Sequence, residues 1–227
     1  VVKRLTLGAV ALALAVAGCS SHQDQKPSAP PELVPMNALD KVLLSPSDVD
    51  TIMGTTGMTP HPRAQVMGDH RNLLPNLNCL GIWQVDESGV YGADGWIAVR
   101  QEMLRSPDTD DWRTLVVQSV VNYPSTDAAR DFFNQSSDRW SKCTNHNVNI
   151  TLNDKPLPKW HSGDLTKTDT QLSIPFTRGD VNGVDHCQRV LAVDNNVIID
   201  VQACTRDVPP VAQAAAVANQ IETKLPT

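Results

Sequence analysis

The 227-residue chain has no run of about 20 apolar residues, the length that a membrane-spanning helix needs. It also lacks any basic excess: 19 Lys and Arg stand against 25 Asp and Glu, for a formal net charge of −6. Phosphate neutralisation needs clustered Lys and Arg, so no nucleic acid is expected as a partner. The same balance argues against adhesion to an anionic membrane by charge alone. Catalytic signatures are missing too. There is no Gly-x-Ser-x-Gly nucleophile elbow, no His-Glu-x-x-His and no glycine-rich phosphate loop. Gly89, Gly92 and Gly95 are evenly spaced in a loop and suit turns better than a phosphate cradle. Aromatic residues make up only 4% of the chain, so each of the five tryptophans carries weight.

What is present begins with the N-terminus. Lys3 and Arg4 precede an apolar run from Leu5 to Ala17, and Val16-Ala17-Gly18-Cys19 closes it. The run is too short to span a membrane and has the form of a bacterial lipoprotein signal peptide. On that reading residues 1–18 are removed and Cys19 becomes a lipid-modified N-terminus, expected to anchor the protein on the extracytoplasmic face of the cell membrane. Residues 19–36 follow as a polar, proline-rich tether, reaching about 50 Å if extended at ~3.1 Å per residue. Residues 37–227 form the expected folded domain, long enough to bury a core. Five cysteines are present. With Cys19 lipidated, Cys79, Cys143, Cys187 and Cys204 are left in an oxidising compartment, which favours two disulfides among three conceivable pairings.

The periodicity predicts an alternation of helices and strands. Leu39, Val42 and Leu43 have helical spacing. Ser45-Pro46-Ser47-Asp48 sets up a second helix with Ser45 as N-cap and Gly54 as stop. Thr55 to Asn78 reads as loop with a short strand. Strands are predicted at Cys79–Val85, Trp96–Leu104, Trp112–Tyr123, Val148–Leu152 and Gln171–Thr177. The third is apolar on both faces and is expected to be central. Ser125 or Thr126 caps a helix that turns Ala129, Phe132, Phe133, Ser136 and Trp140 inward. Trp160 and His161 fall in a polar connection. A last helix starts at Pro209-Pro210, with Val211, Ala215, Ala218, Ile221 and Leu225 as its apolar stripe.

The stretch from His186 to Thr205 reads as a hairpin turning at Asn195-Asn196, since asparagine accepts positive φ. A two-residue turn there pairs Asp194 with Val197, and the ladder then runs back in step to place Cys187 opposite Cys204. The alternation makes this a non-hydrogen-bonded pair, with Cα atoms about 4.5 Å apart. That lies within the ~4.4 to 6.8 Å a disulfide accepts. Cys79–Cys143 follows by elimination, and a three-residue turn would shift the register by one.

Chemistry is sparse. Of the six histidines only His146 has a suggestive neighbour, in Cys143-Thr-Asn-His146. A metal site needs three or four converging ligands, so no metal is expected, and no cofactor or catalytic residue either. Asp108, Asp110 and Asp111 lack the spacing of a calcium loop and read as a solvated turn. Arg178-Gly179-Asp180 reads as a β-turn. Trp96, Trp112 and Trp160 are the candidates for lining a ligand cleft, with core packing the competing role of each.

Several segments together resemble one family: Leu43-Leu-Ser-Pro-Ser-Asp-Val-Asp-Thr-Ile-Met-Gly54, Asn78-Cys79, Val121-Asn-Tyr-Pro124, Ala129-Arg-Asp-Phe-Phe133, Trp140-Ser-Lys-Cys143, and the hairpin from His186-Cys-Gln-Arg189 to Cys204. It is the extracellular sensor domain of the mycobacterial serine/threonine kinase PknH, found also in mycobacterial lipoproteins of the LppH type. The resemblance covers roughly Ala38 to Leu225. It implies a single α+β domain with an antiparallel sheet packed by helices, a cleft for a small envelope ligand, and disulfides in sequential pairs. The pairs fall on Cys79–Cys143 and Cys187–Cys204. The chain is thus expected to be a lipid-anchored extracytoplasmic sensor or ligand-binding module without kinase activity. Its expected partners are the membrane, through the lipid on Cys19, and an envelope protein. The alternative is a secreted envelope hydrolase, which requires His161 or His146 within reach of a serine and an acid.

Overall fold

The computed structural model describes residues 32–153, 155–180, 183–209 and 212–226. The leader, Cys19 and the first part of the tether lie outside the described residues. Chain order begins with a 3-10 turn, Met36–Ala38, running into α1 (Leu39–Val42). Next is α2 (Pro46–Met53), with a capping box between Ser45 and Asp48 and Gly54 left-handed at its end (φ 63°). Then come β1 (Thr59–Pro60), α3 (Leu77–Trp83), α4 (Ser88–Tyr91), β2 (Ala98–Ser106), β3 (Thr114–Asn122) and α5 (Thr126–Ser141), capped by Ser125. Short strands β4 (Asn147–Val148), β5 (Thr151–Leu152), β6 (Lys155–Pro156), β7 (Lys159–Ser162) and β8 (Thr166–Lys167) precede long β9 (Gln171–Asp180), β10 (Gly183–Asp194) and β11 (Val197–Arg206). α6 (Gln213–Glu222) is last.

The sheet runs β1-β2-β3-β11-β10-β9-β7-β4, with β8 also on β9, and its strand pairs are antiparallel. β5 and β6 form a separate hairpin. β3 lies between β2 and β11 and is buried on both faces, as its two apolar rows require. Period-two alternation sends Val99, Val121, Leu191 and Ile198 to one face, where they meet Phe132, Phe133 and Trp140 of α5. Leu104, Val116, Val120, Ile199 and Val201 go to the other, against α1, α2 and α6. The result is one α+β domain with two cores sharing a sheet.

The hairpin register is as expected, with Asp194 opposite Val197 and Cys187 opposite Cys204. Both disulfides, Cys79–Cys143 and Cys187–Cys204, are formed, with Cα separations of 5.3 and 4.1 Å.

Other expectations need correction. Cys79–Val85 is not a strand. Residues 79–83 belong to α3, capped by Asn76 and buried throughout, so no face was polar enough to reveal a helical period. Val148–Leu152 is split between β4 and β5. The polar connection at Trp160 and His161 is β7, and Arg178-Gly179-Asp180 ends β9 instead of turning. At Gly179 a side chain would meet the Gly183 carbonyl at 2.6 Å, so close backbone approach requires the glycine. α6 begins at Gln213; of the expected stripe Ala218, Ile221 and Leu225 are buried and Ala215 partly so, and Ala214 and Val217 widen it, while Pro210 and Val211 lie outside the described residues.

The ordered chain also reaches into the segment assigned to the tether. Val34 is buried, its N–H donates to Asn196 Oδ1 at 2.8 Å, and its carbonyl accepts from Asn122 Nδ2 at 2.8 Å. Gln118 pairs in the same way with both backbone groups of Leu44.

Candidate functional site

α3 and α5 cover only part of their face of the sheet. Toward the β2–β3 turn the strands continue past the helices, and the side chains there line a cleft of two adjoining hollows, about 370 and about 280 Å³. Trp83 and Arg178 border both. The inner hollow is floored by Met103, Leu115, Val117, Phe176 and Gln202 and flanked by the Cys187–Cys204 bridge and Trp112. The outer one lies between Trp83 and the arm formed by Ile150, Leu157 and Pro158 beside the β5–β6 hairpin.

The charged rim is a chain of alternating signs. Asp185 accepts from Arg178 at 2.9 Å and from Arg206 at 3.1 Å. Arg206 also pairs with Asp111, and its guanidinium stands 5.1 Å from the Trp112 ring centre. Asp108 accepts from Arg105 at 2.6 Å and contacts His61 at 2.8 Å; the Arg105 hydrogen bond, then that of His61, holds its carboxyl below the usual range. Gln202 Oε1 is buried and has no hydrogen-bond partner among the described residues, so the floor presents an unsatisfied acceptor. The cleft therefore combines aromatic walls, planar amides and cations already held in place by acids.

Beneath it sits a buried ionic node. Arg189 and Asp200 are both 1% exposed, with Nη1 2.5 Å from Oδ1. Arg189 also donates to the carbonyls of Gly81 and Gln84 at 3.1 Å each, tying down the end of α3 from which Trp83 and Gln84 face the cleft. Asp200 accepts from the Tyr91 hydroxyl at 2.9 Å and from the Asp86 backbone N–H at 3.1 Å. Asp86 is fully buried, and burial, then the charge of Asp200, pushes its carboxyl well above the usual range. Burial also pushes the phenols of Tyr91 and Tyr123 upward. On the outer side, His70 contacts the buried Glu87 at 2.5 Å and sets its ring edge-on to Trp83, 5.9 Å between centroids.

Of the three tryptophans singled out by sequence, Trp112 lines the cleft. Trp160 is wholly buried, 5.4 Å from Phe176, and packs in the core. Trp96 is half-buried, donates to the Gly92 carbonyl at 3.2 Å and borders neither hollow. Trp83 was missed because its segment read as a strand. Arg189 and Asp200 were missed as well, although the hairpin register already made them diagonal neighbours on one face. His161 meets Asn147 at 3.0 Å, and the Ser162 hydroxyl near His146 is bound to the Cys143 carbonyl, so neither histidine forms the serine contact a hydrolase requires. Among the described residues no group of three or more His, Cys, Asp or Glu side chains converges as a metal site.

An antiparallel sheet with helices on both faces, two bridges and a cleft on the uncovered part of one face defines a binding-type domain. A model of the PknH-like extracellular domain family matches residues 34–224, and the chain belongs to that family. The serine/threonine-protein kinase PknH of Mycobacterium tuberculosis is 30% identical over 204 residues, covering 90% of this chain and 31% of the kinase. PknH of Mycobacterium bovis is 29% identical over 225 residues, covering 99% and 36%. The chain thus spans about a third of the length of these curated relatives. The crystal structure of the extracellular domain of PknH from Mycobacterium tuberculosis superposes with a TM-score of 0.77 at 29% identity, covering 85% of this chain and 97% of that one.

Proposed function

We propose that the chain is a lipid-anchored sensor module of the cell envelope, of the LppH lipoprotein type, that captures a small envelope ligand in the cleft. One observation carries the ligand-binding part: beside Trp83 of α3 and Trp112 of the β2–β3 turn, the sheet face that carries Arg178 is left open on a domain of the extracellular sensor family. The lipid on Cys19 and the proline-rich segment after it would hold the domain outside the membrane. The protein would act by sequestering a ligand, or by competing for it with an envelope protein such as a membrane kinase.

Two experiments test this. Thermal-shift screening against envelope lipids, glycans and peptidoglycan fragments should give at least one stabilising class, and Trp112→Ala should abolish the shift. A flat response across all classes would sink the binding reading. Membrane fractionation should find the wild-type protein in the lipid phase and Cys19→Ala in the aqueous phase; an unchanged partition would remove the anchor.

A further inference from the structure

On the sheet face opposite the cleft, three strands bring two histidines into one row. His161 of β7 and His186 of β10 each stand opposite Thr177 of the intervening β9. Strands lie about 4.8 Å apart, so the two Cα atoms are about 10 Å from one another across one short side chain. Both histidines and Thr177 border a single hollow of about 210 Å³, rimmed by Gly163, Pro175 and Pro209. Among the described residues lining it there is no lysine or arginine to repel a cation.

The ring of His161 is oriented for ligation. Its Nδ1 lies 3.0 Å from Asn147 Oδ1 on β4, the strand on the far side from β9. An amide oxygen only accepts, so Nδ1 carries the proton and Nε2 keeps its lone pair. That lone pair is on the opposite edge of the ring, away from β4. A histidine whose second nitrogen donates to a carbonyl oxygen is the usual arrangement of a metal ligand. The ring of His186 makes no hydrogen bond to a described residue.

We propose that His161 and His186 together bind one divalent transition ion of the zinc, copper or nickel class over Thr177, with solvent completing its coordination. Imidazole nitrogens suit these ions, whereas calcium and magnesium take oxygen ligands. The two protein ligands fall short of the three or four that converge in structural and catalytic sites, so the site is open and exchangeable and takes its remaining ligands from solvent. It lies on the sheet face opposite the cleft, with Phe176 and Cys187 bordering the hollows on both sides.

The test uses the metal-stripped full chain and zinc, copper(II) or nickel salts alone, with calcium and magnesium as comparisons. Isothermal titration should show one zinc per chain, no calcium or magnesium binding, and weakening on acidification as protons compete for the rings. Asn147→Ala should weaken zinc about tenfold by freeing the ring of His161. His161→Gln and His186→Gln should each weaken it further, while His61→Gln should leave it unchanged. Copper(II) electron paramagnetic resonance should count two coordinated imidazoles in the wild type and one in each single variant. Absence of zinc binding, or wild-type affinity in either His161→Gln or His186→Gln, would overturn the proposal.

Discussion

The two faces of the sheet solve different problems. The face under α6 is closed: Val190, Ile199, Val201 and Ala203 meet Ala214, Val217, Ala218 and Ile221, and small side chains let the helix lie close. Its polar side chains, Gln118, Asn122 and Asn196, are spent on pinning the backbone of the N-terminal segment. The face under α3 and α5 is only partly covered, and it carries both disulfides, the Arg189–Asp200 pair and the buried Asp86. On that face the Cys79–Cys143 bridge ties α3 to the end of α5, and Arg189 holds the Gly81 and Gln84 carbonyls at the end of α3, so a covalent link and a buried charge fix the helices beside the cleft. The open face thus joins the cleft to its own cross-links, whereas the part of the other face under α6 relies on close apolar packing.

Substitutions can break or sharpen that contrast. The largest effect is expected from Arg189→Met, which leaves Asp200 and Asp86 buried without a cation; it should cost about 3–5 kcal/mol in urea unfolding and loosen Trp83, visible as changed tryptophan fluorescence. Ile221→Ala on the closed face should cost about 2–5 kcal/mol with the cleft intact, so ligand-induced thermal shifts should survive it. If Ile221→Ala abolished binding while Arg189→Met spared it, the division between faces would fail. Replacing both Cys187 and Cys204 by Ser should cost about 2–5 kcal/mol, and a non-reduced digest should show the Cys187–Cys204 peptide only in the wild type.

The smallest effect concerns Asp86 and runs the other way. Unfolded, its carboxyl ionises near about pH 3.9. Folded, its raised value keeps the proton, so the native state binds more protons than the unfolded state between the two values. Stability therefore falls as pH rises through that window, and the penalty is complete above it. Asp86→Asn should flatten the dependence and raise neutral-pH stability by about 1 kcal/mol. Asparagine also tolerates the positive φ of 51° at this position. Urea midpoints from about pH 4 to about pH 8 would check it; an unchanged slope would mean that Asp86 is not the group responsible.

Where local rules act alone, the sequence was sufficient. The cap at Ser45 and stop at Gly54, the cap at Ser125, the two-sided strand β3 and the hairpin register with its bridge were all legible, because each rests on backbone geometry within a few residues. The α3 segment was not, since it is short and Cys79 to Trp83 are buried without a polar face. The cleft was half legible. Trp112 was singled out, but Trp83 depends on α3 being a helix, and Arg178, Asp185 and Arg206 meet only when β9, β10 and β11 pair.

By itself the sequence determined an acidic α+β domain with two bridges among four cysteines. The tertiary structure decided which face of the sheet stays open, which tryptophans border the opening, and that His161 and His186 share a row. The physical reason is range: capping, turn chemistry and alternation are encoded by neighbours, whereas coverage of a sheet depends on where helices far apart in the chain pack.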